Sequence, residues 1–593
     1  MQYRSLCLTL LATALLAACQ SGPDAAQTEQ PPREAAAAIA EAKANSSTLQ
    51  RIEVTGTRMQ HAEAEYRQRR DAAQLQLAPP TSPAPMSPTA QVNEAGDSAS
   101  YRMVAPPQQM PEQANTENYQ ARTDNPVQRT SEQPVSTFSV DVDTGSYSNV
   151  RRMLRDGVRP PADAVRAEEF INYFSYGHAG PTQRSVPFRA TTELAAAPWN
   201  PQRQLLMIGI KGYDVPKATL PPSNLVFLLD TSGSMESPDK LPLLKQAFSM
   251  LVPQLRAQDR VSIVVYAGSA GLVLPPTPGD RHGTILAALE QLQAGGSTNG
   301  GDGIRLAYAM ARQAFVEDGV NRVILATDGD FNVGTVSQHA LETLVGDQRK
   351  SGIALTTLGF GQGNYNDAMA ERLADVGDGN HAYIDTPQEA RKVLVDEMQA
   401  TLLTIARDVK IQVEFNPALV SEYRLIGYEN RLLQREDFAN DKVDAGDIGA
   451  GHEVTALYEI TPVGSAAERL PALRYGKRGQ SDARSGDELA HLRLRYKLPG
   501  QDASKLIETP ILASSLNRRP SESLRFASAV AAYADLLRGG TRVDSWGWSD
   551  VAAAARQAQG EDHFGLRAEF VSLVEEGRRI VGSETSGPDV TLN

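Results

Sequence analysis

The strongest constraint on the fold is a change of rhythm between Asn224 and Ala406. Apolar runs without polar alternation recur there: Leu225 to Leu229, Arg260 to Ala267, Val323 to Thr327, Ile353 to Phe360 and Ala382 to Ile384. Amphipathic stretches lie between and after them, near 240–258, 283–293, 302–315, 338–350, 367–376 and 388–405. A strand that does not alternate is buried on both faces. Such strands alternating with helices predict an α/β fold, a doubly wound parallel sheet of Rossmann-like type. Gly271 to Leu274 reads as a short edge strand of the same sheet.

The flanks read differently. A chain of 593 residues is too long for one domain. Residues 19–135 are rich in Ala, Gln and Pro, as in Pro79-Pro80-Thr81-Ser82-Pro83-Ala84-Pro85. Apolar residues there are sparse and not periodic, so the expectation is a disordered tether. A tether of that length has a root-mean-square span of about 60 Å. Residues 136–220 then carry the alternating strand Thr137 to Val142, helices over 146–156 and 162–173, and strands over 188–194 and 204–213. The sheet domain is assigned to 221–406. Residues 407–593 are β-rich to Leu512, then helical over 521–537, 550–559 and 565–580. The two ends of an open sheet domain lie close together, so such a domain can be inserted into a host. The segments 137–215 and 408–512 are therefore expected to build one β-rich unit.

Net charge is -13, with 22% charged residues, which argues against a nucleic-acid partner. Both cysteines lie in the first nineteen residues. Arg4, the apolar run Leu6 to Ala18 and the small residues before Cys19 form a targeting segment too short for a comfortable membrane span. Leu16-Ala17-Ala18-Cys19 resembles the bacterial lipoprotein signal. The resemblance implies removal of a signal peptide, 1–18, and lipidation of Cys19. Gln20 follows the cysteine, where Asp implies inner-membrane retention. The expected location is thus the cell envelope, lipid-anchored, with the outer membrane favoured and a periplasmic or surface face.

Chemistry-bearing residues collect where strands end. In open parallel sheets, sites form beyond the carboxyl ends of strands, where strand order reverses. Asp230-Thr231-Ser232-Gly233-Ser234 directly follows one strand, Gly295-Gly296-Ser297-Thr298-Asn299 precedes a helix, and Asp328-Gly329 follows another strand. Asp230, Ser232, Ser234, Thr298 and Asp328 are hard oxygen donors, suited to Mg²⁺, or to Mn²⁺ or Ca²⁺. The set resembles the metal-ion-dependent adhesion site of von Willebrand factor A domains and integrin I domains. The resemblance implies direct ligation by Ser232 and Ser234, direct or water-mediated ligation by Asp230 and Asp328, and ligation by Thr298 that depends on conformational state. It also implies a protein ligand that offers an Asp or Glu to the metal. Further stretches resemble the YfbK-like family of bacterial von Willebrand factor A lipoproteins. They are Thr137 to Arg152, Arg166 to Phe174, Glu414 to Pro417, Tyr423 to Arg431 and Ala445 to His452.

Other chemistries fit less well. Asp143-Thr144-Gly145-Ser146 looks like an aspartic-protease loop, but that reaction needs a second such carboxylate in a bilobal β fold. Asp141 and Asp143 are an alternative pair for a second cation. Gly359-Phe360-Gly361-Gln362-Gly363-Asn364 has the wrong glycine spacing for a dinucleotide loop. Ser232 and Ser234 lack a nucleophile elbow. Trp546-Gly547-Trp548 is either core or a partner contact. The expectation is a non-enzymatic, lipid-anchored protein that binds a protein partner through a divalent cation, in assembly, adhesion or stress response. The alternative is a scaffold whose metal only stabilises the fold. Cys19→Ser should abolish incorporation of labelled fatty acid; unchanged labelling would exclude this anchor.

Overall fold

Residues Ser223–Asp230 form a strand with every position buried, at the centre of a six-stranded sheet. The computed structural model describes residues 117–582 except 141–142, 184, 298–299, 330–337, 364 and 472–485. The expected signal peptide, Cys19 and the stretch up to 116 expected to be a tether lie outside the described residues. Strand order is His381–Ile384, Ala354–Phe360, Val320–Thr327, Ser223–Asp230, Arg260–Tyr266, Ala270–Pro278. All neighbours run parallel except the last pair. Helices Leu241–Leu251 and His282–Glu290 cover one face through Leu244, Phe248, Ile285 and Leu289. Gly300–Gln313, Gln338–Lys350 and Asp367–Val376 cover the other through Ile304, Tyr308, Leu341, Val345 and Leu373. This is the doubly wound sheet that the apolar rhythm predicts.

The stretch read as one helix over 388–405 is broken. It runs as Pro387–Arg391, a π-helical turn Lys392–Asp396 and Met398–Leu402. The chain then enters the strand Thr404–Phe415 directly. The short pieces arise because the segment must close the sheet domain and reach the next sheet within a few residues.

Flanking segments interleave. One sheet holds Gln128–Arg129, Val420–Ile426, Glu453–Pro462, Asn200–Gly212, Phe188–Ala197 and Leu516–Asn517 in that order. The other holds Ile448–Gly449, Thr404–Phe415, Glu488–Lys497 and Ser504–Leu512, with Val135–Ser139 also paired to Thr404–Phe415. Asn200–Gly212 pairs antiparallel with Glu453–Pro462 from Gln204↔Ile460 to Lys211↔Glu453. The inner faces share one core, in which Leu206, Ile208 and Tyr458 meet Ile411, Leu492 and Leu494. Segments on either side of the central domain thus form one β-sandwich. Helices from both flanks, Gly145–Arg155, Ala167–Asn172, Glu522–Leu537, Trp548–Gln557 and Leu566–Ile580, make a further core against the first sheet. Trp546 and Trp548 pack there, Trp546 edge-on to Trp199 and Trp548 edge-on to Tyr533.

Folded structure begins before Ser136, contrary to a tether reaching 135. Gln128–Arg129 extends one sheet. Asn125 donates to Gly427 O at 2.6 Å and Leu425 O at 3.2 Å. The segment looks like linker in sequence because polar side chains hold it rather than a periodic apolar face.

Buried ion pairs fix the sheet domain to its host. Arg166 meets Asp367 at 2.5 Å and Glu371 at 2.8 Å, and also Glu169. Arg151 meets Asp385, Glu389 and Glu569. Removing one partner of such a cluster leaves charges buried without compensation. Arg166→Met should therefore cost about 3–5 kcal/mol, read as a lower urea midpoint with unchanged slope.

Candidate metal centre

Strand Ser223–Asp230 has Arg260–Tyr266 on one side and Val320–Thr327 on the other, so strand order reverses at its carboxyl end. Leu229 is level with Ala326. The register therefore brings Asp230 beside Thr327, with Asp328 one residue further. Both carboxylates are fully buried. Asp230 Oδ1 accepts the Ser232 N–H at 2.9 Å, and Oδ2 accepts the Thr327 hydroxyl at 3.2 Å. Burial pushes the Asp230 carboxyl up to about 6, against the opposing effect of the Ser232 N–H; the neighbouring Asp328 charge adds to the rise.

The next residues turn sharply. Ser232 is extended, and Gly233–Glu236 forms a 3₁₀ turn that presents Ser234 beside it. Ser232 Oγ and Ser234 Oγ lie 3.0 Å apart. Two ligands at right angles, each about 2.1 Å from Mg²⁺, are separated by about 3.0 Å. The two hydroxyls are hydrogen-bonded at this distance, which is also the spacing of adjacent octahedral positions. Ser232 is buried and Ser234 exposed, so this corner opens to solvent.

The glycine-rich loop reaches the same corner. Gly295 N donates to Thr231 O at 2.8 Å, and Gly233 N donates to Gly296 O at 3.0 Å. Thr298 itself lies outside the described residues. The three loops picked out in the sequence thus converge, and four of the five candidate ligands, Asp230, Ser232, Ser234 and Asp328, are placed there. Among the described residues no group of three or more His, Cys, Asp or Glu is arranged to hold a metal. A cation at this corner would be held by hydroxyls and two carboxylates.

A lysine also reaches this corner. Lys240 Nζ donates to Asp328 Oδ2 at 3.0 Å in the buried interior. Asp328 thus carries an ammonium on one oxygen while its charge still raises the Asp230 carboxyl. A sequence signal existed in the placement of a lysine immediately before the helix Leu241–Leu251, where the helix dipole disfavours a cation.

The other acidic loop is structural. Asp143 Oδ1 accepts His381 N at 2.8 Å and Oδ2 accepts from Arg431 at 3.2 Å. Asp141, its suggested partner for a second cation, lies outside the described residues. Gly361 to Gly363 lie in the connection between Ala354–Phe360 and Asp367–Val376; Asn364 is not described.

Sheet order, the switch point and the D-x-S-x-S turn define a von Willebrand factor A class of domain. A family profile described as "von Willebrand factor type A domain" matches residues 225–330, and one described as "von Willebrand factor" matches 113–207. Domains of this class commonly mediate protein–protein interactions. A profile described as "Uncharacterized protein YfbK, C-terminal" matches 400–580. The chain belongs to the YfbK family: it is 50% identical over 469 residues to "Uncharacterized protein YfbK" of Escherichia coli (strain K12), across 78% of this chain and 81% of that protein. "Uncharacterized protein sll0103" of Synechocystis is 30% identical over 197 residues, 33% of this chain and 45% of that one. The solved "von Willebrand factor type A from Catenulispora acidiphila" covers 70% of this chain and 90% of its own, at 17% identity and TM-score 0.37.

The wall beside Asp328 depends on one glycine. Gly329 has φ +89, and a Cβ there would come within 2.3 Å of Asn366 N and 2.6 Å of Tyr365 Cα. Gly329→Ala combines left-handed strain with a backbone collision. It should cost at least about 2 kcal/mol and lower the melting temperature; a wild-type melting curve would show that this wall yields.

Proposed function

We propose that this YfbK-family protein is anchored in the cell envelope by a lipid on Cys19 and binds a protein partner through a divalent cation. The cation would be held by Asp230, Ser232, Ser234, Thr298 and Asp328. The observation that carries this reading is the 3.0 Å hydroxyl pair set beside two fully buried carboxylates at the sheet's switch point. Asp328 is already paired with Lys240, and a divalent cation would offset the charge that remains on the two buried acids. When bound, the ion supplies a Lewis-acidic position. Ser232 and Ser234 orient it, Asp230 and Asp328 neutralise it, and the exposed side at Ser234 leaves a position for the partner. An Asp or Glu is the hard anion that such a position favours. Mg²⁺ is the ion proposed, with Mn²⁺ an effective substitute.

We infer a binding role and no catalysis. Ser232 and Ser234 hydrogen-bond to each other, and the nearby carboxylates accept from Ser232 N, Thr327 and Lys240. Gln20 after the lipidation site favours the outer membrane. A second reading, a scaffold in which the ion only stabilises the fold, is favoured by the contacts that both carboxylates make inside the fold, to Ser232 N, Thr327 and Lys240.

The two readings separate in a crosslinking pull-down from envelope fractions, with Mg²⁺ or with chelator. The adhesion reading predicts a partner captured only with Mg²⁺ and lost in a folded Asp230→Ala protein. Capture that ignores both chelator and Asp230→Ala would favour the scaffold. Bound metal should also raise the melting temperature, by an amount equivalent to about 3 kcal/mol at a hundredfold excess over its dissociation constant, with no rise in Asp328→Ala. Thr298→Ala should weaken partner capture more than metal binding.

A further inference from the structure

Lys240 sits at the amino end of the helix Leu241–Leu251 and is only 7% exposed. Its ammonium crosses to Asp328, 88 residues later in the chain. Two features show that the fold is built around this reach. A cation at a helix amino end faces the positive pole of the dipole, so local preference opposes it. The stem also passes through space that a side chain would fill. A Cβ on Gly361 would come within 2.2 Å of Lys240 Cγ and 2.4 Å of its Cε, and Gly361 adopts φ +71. The Tyr383 hydroxyl donates to Gly361 O at 2.6 Å and fixes that loop over the stem.

We propose that Lys240 is a resident counter-cation that sets the affinity and selectivity of the metal centre, an inference that rests on the divalent-cation reading above. The ammonium at Asp328 Oδ2 sets a positive charge against two-oxygen coordination of an ion by that carboxylate. Each Asp230 oxygen already accepts one hydrogen bond, Oδ1 from Ser232 N and Oδ2 from Thr327, which leaves lone pairs for one-oxygen contact with an ion. The centre then offers single oxygens, two hydroxyls at octahedral spacing and room for water. Mg²⁺ is satisfied by six oxygens and keeps several waters. Ca²⁺ takes six to eight oxygens, often with bidentate carboxylates, which the Lys240 charge disfavours. The ammonium also repels any arriving ion, so Mg²⁺ binds reversibly and not as a permanent structural element. Without metal it offsets the Asp328 charge, which removing one member of a buried pair would undo.

The test is calorimetric titration of Mg²⁺ and, separately, Ca²⁺ into the full chain, stripped of metal and held in detergent. Lys240→Met keeps the stem's bulk and removes the charge. The wild type should bind Mg²⁺ more tightly than Ca²⁺. Lys240→Met should bind both more tightly, Ca²⁺ by at least about tenfold, with the Mg²⁺ preference narrowed. A Lys240→Met protein that folds only with added divalent ion supports the same conclusion, because the ion replaces the ammonium. If Lys240→Met does not fold under any condition, the double variant Lys240→Met, Asp328→Asn removes both charges. Its recovery would assign the defect to charge, as proposed, and its failure would assign Lys240 to packing and overturn the proposal. Wild-type affinities in Lys240→Met overturn this inference and leave the metal centre standing. No binding of either ion by wild type and variant removes both.

Discussion

Two buried carboxylates, side by side at the carboxyl ends of the two central strands of one sheet, impose the condition that the surrounding structure meets. Buried acids require donors or cations on their oxygens. Asp230 obtains a backbone N–H from Ser232 and a hydroxyl from Thr327, and Asp328 obtains the Lys240 ammonium. Each depends on a longer-range feature. Thr327 is in place only because two parallel strands run in register, with Leu229 level with Ala326. Ser232 is in place only because the turn after Asp230 tightens at once. Lys240 is in place only because Gly361 leaves its stem a path.

The wall beside the centre is held from both flanks. Gly329 backs onto Tyr365 and Asn366. Tyr365 O accepts Asn118 N at 3.2 Å, and the Tyr365 hydroxyl meets His381 Nε2 at 2.7 Å. Glu117 accepts Gly363 N at 3.1 Å and pairs with Arg152. Asp143 accepts His381 N, and Arg166 clamps Asp367. The sheet domain is therefore not a bead on a string. The edge that carries the candidate centre is held against the sandwich and helices that enclose it.

The sheet was legible because buried parallel strands leave an unmistakable trace. Leu225 to Leu229 and Val323 to Thr327 are unbroken apolar runs, and the acids that follow them mark strand ends. The convergence of Asp230, Ser232, Ser234 and Asp328 followed from the switch-point rule and the turn spacing. Lys240 was not legible, because its partner lies 88 residues away and nothing local distinguishes it from a solvated lysine except its awkward place before a helix. The interleaved sandwich was anticipated from the insertion geometry, but not the strand order, which depends on cross-strand packing between segments more than 240 residues apart, as in Lys211↔Glu453. The early start of folded structure was hidden for the same reason: Asn125 and Arg122 hold their segment through Gly427 and Glu371, which are remote in sequence.

The central claim, that the buried acids and the hydroxyl pair form a centre for a divalent ion, is tested most directly by a crystal of the protein grown with Mn²⁺. Diffraction data collected on either side of the manganese edge would locate the metal without reference to activity or partner. The predicted result is one anomalous peak within bonding distance of Ser232 Oγ and Ser234 Oγ, beside Asp328, about 2.1–2.2 Å from each directly bound oxygen. A crystal saturated with Mn²⁺ that shows no peak there, with Lys240 still on Asp328 and the serines still bonded to each other, would contradict it.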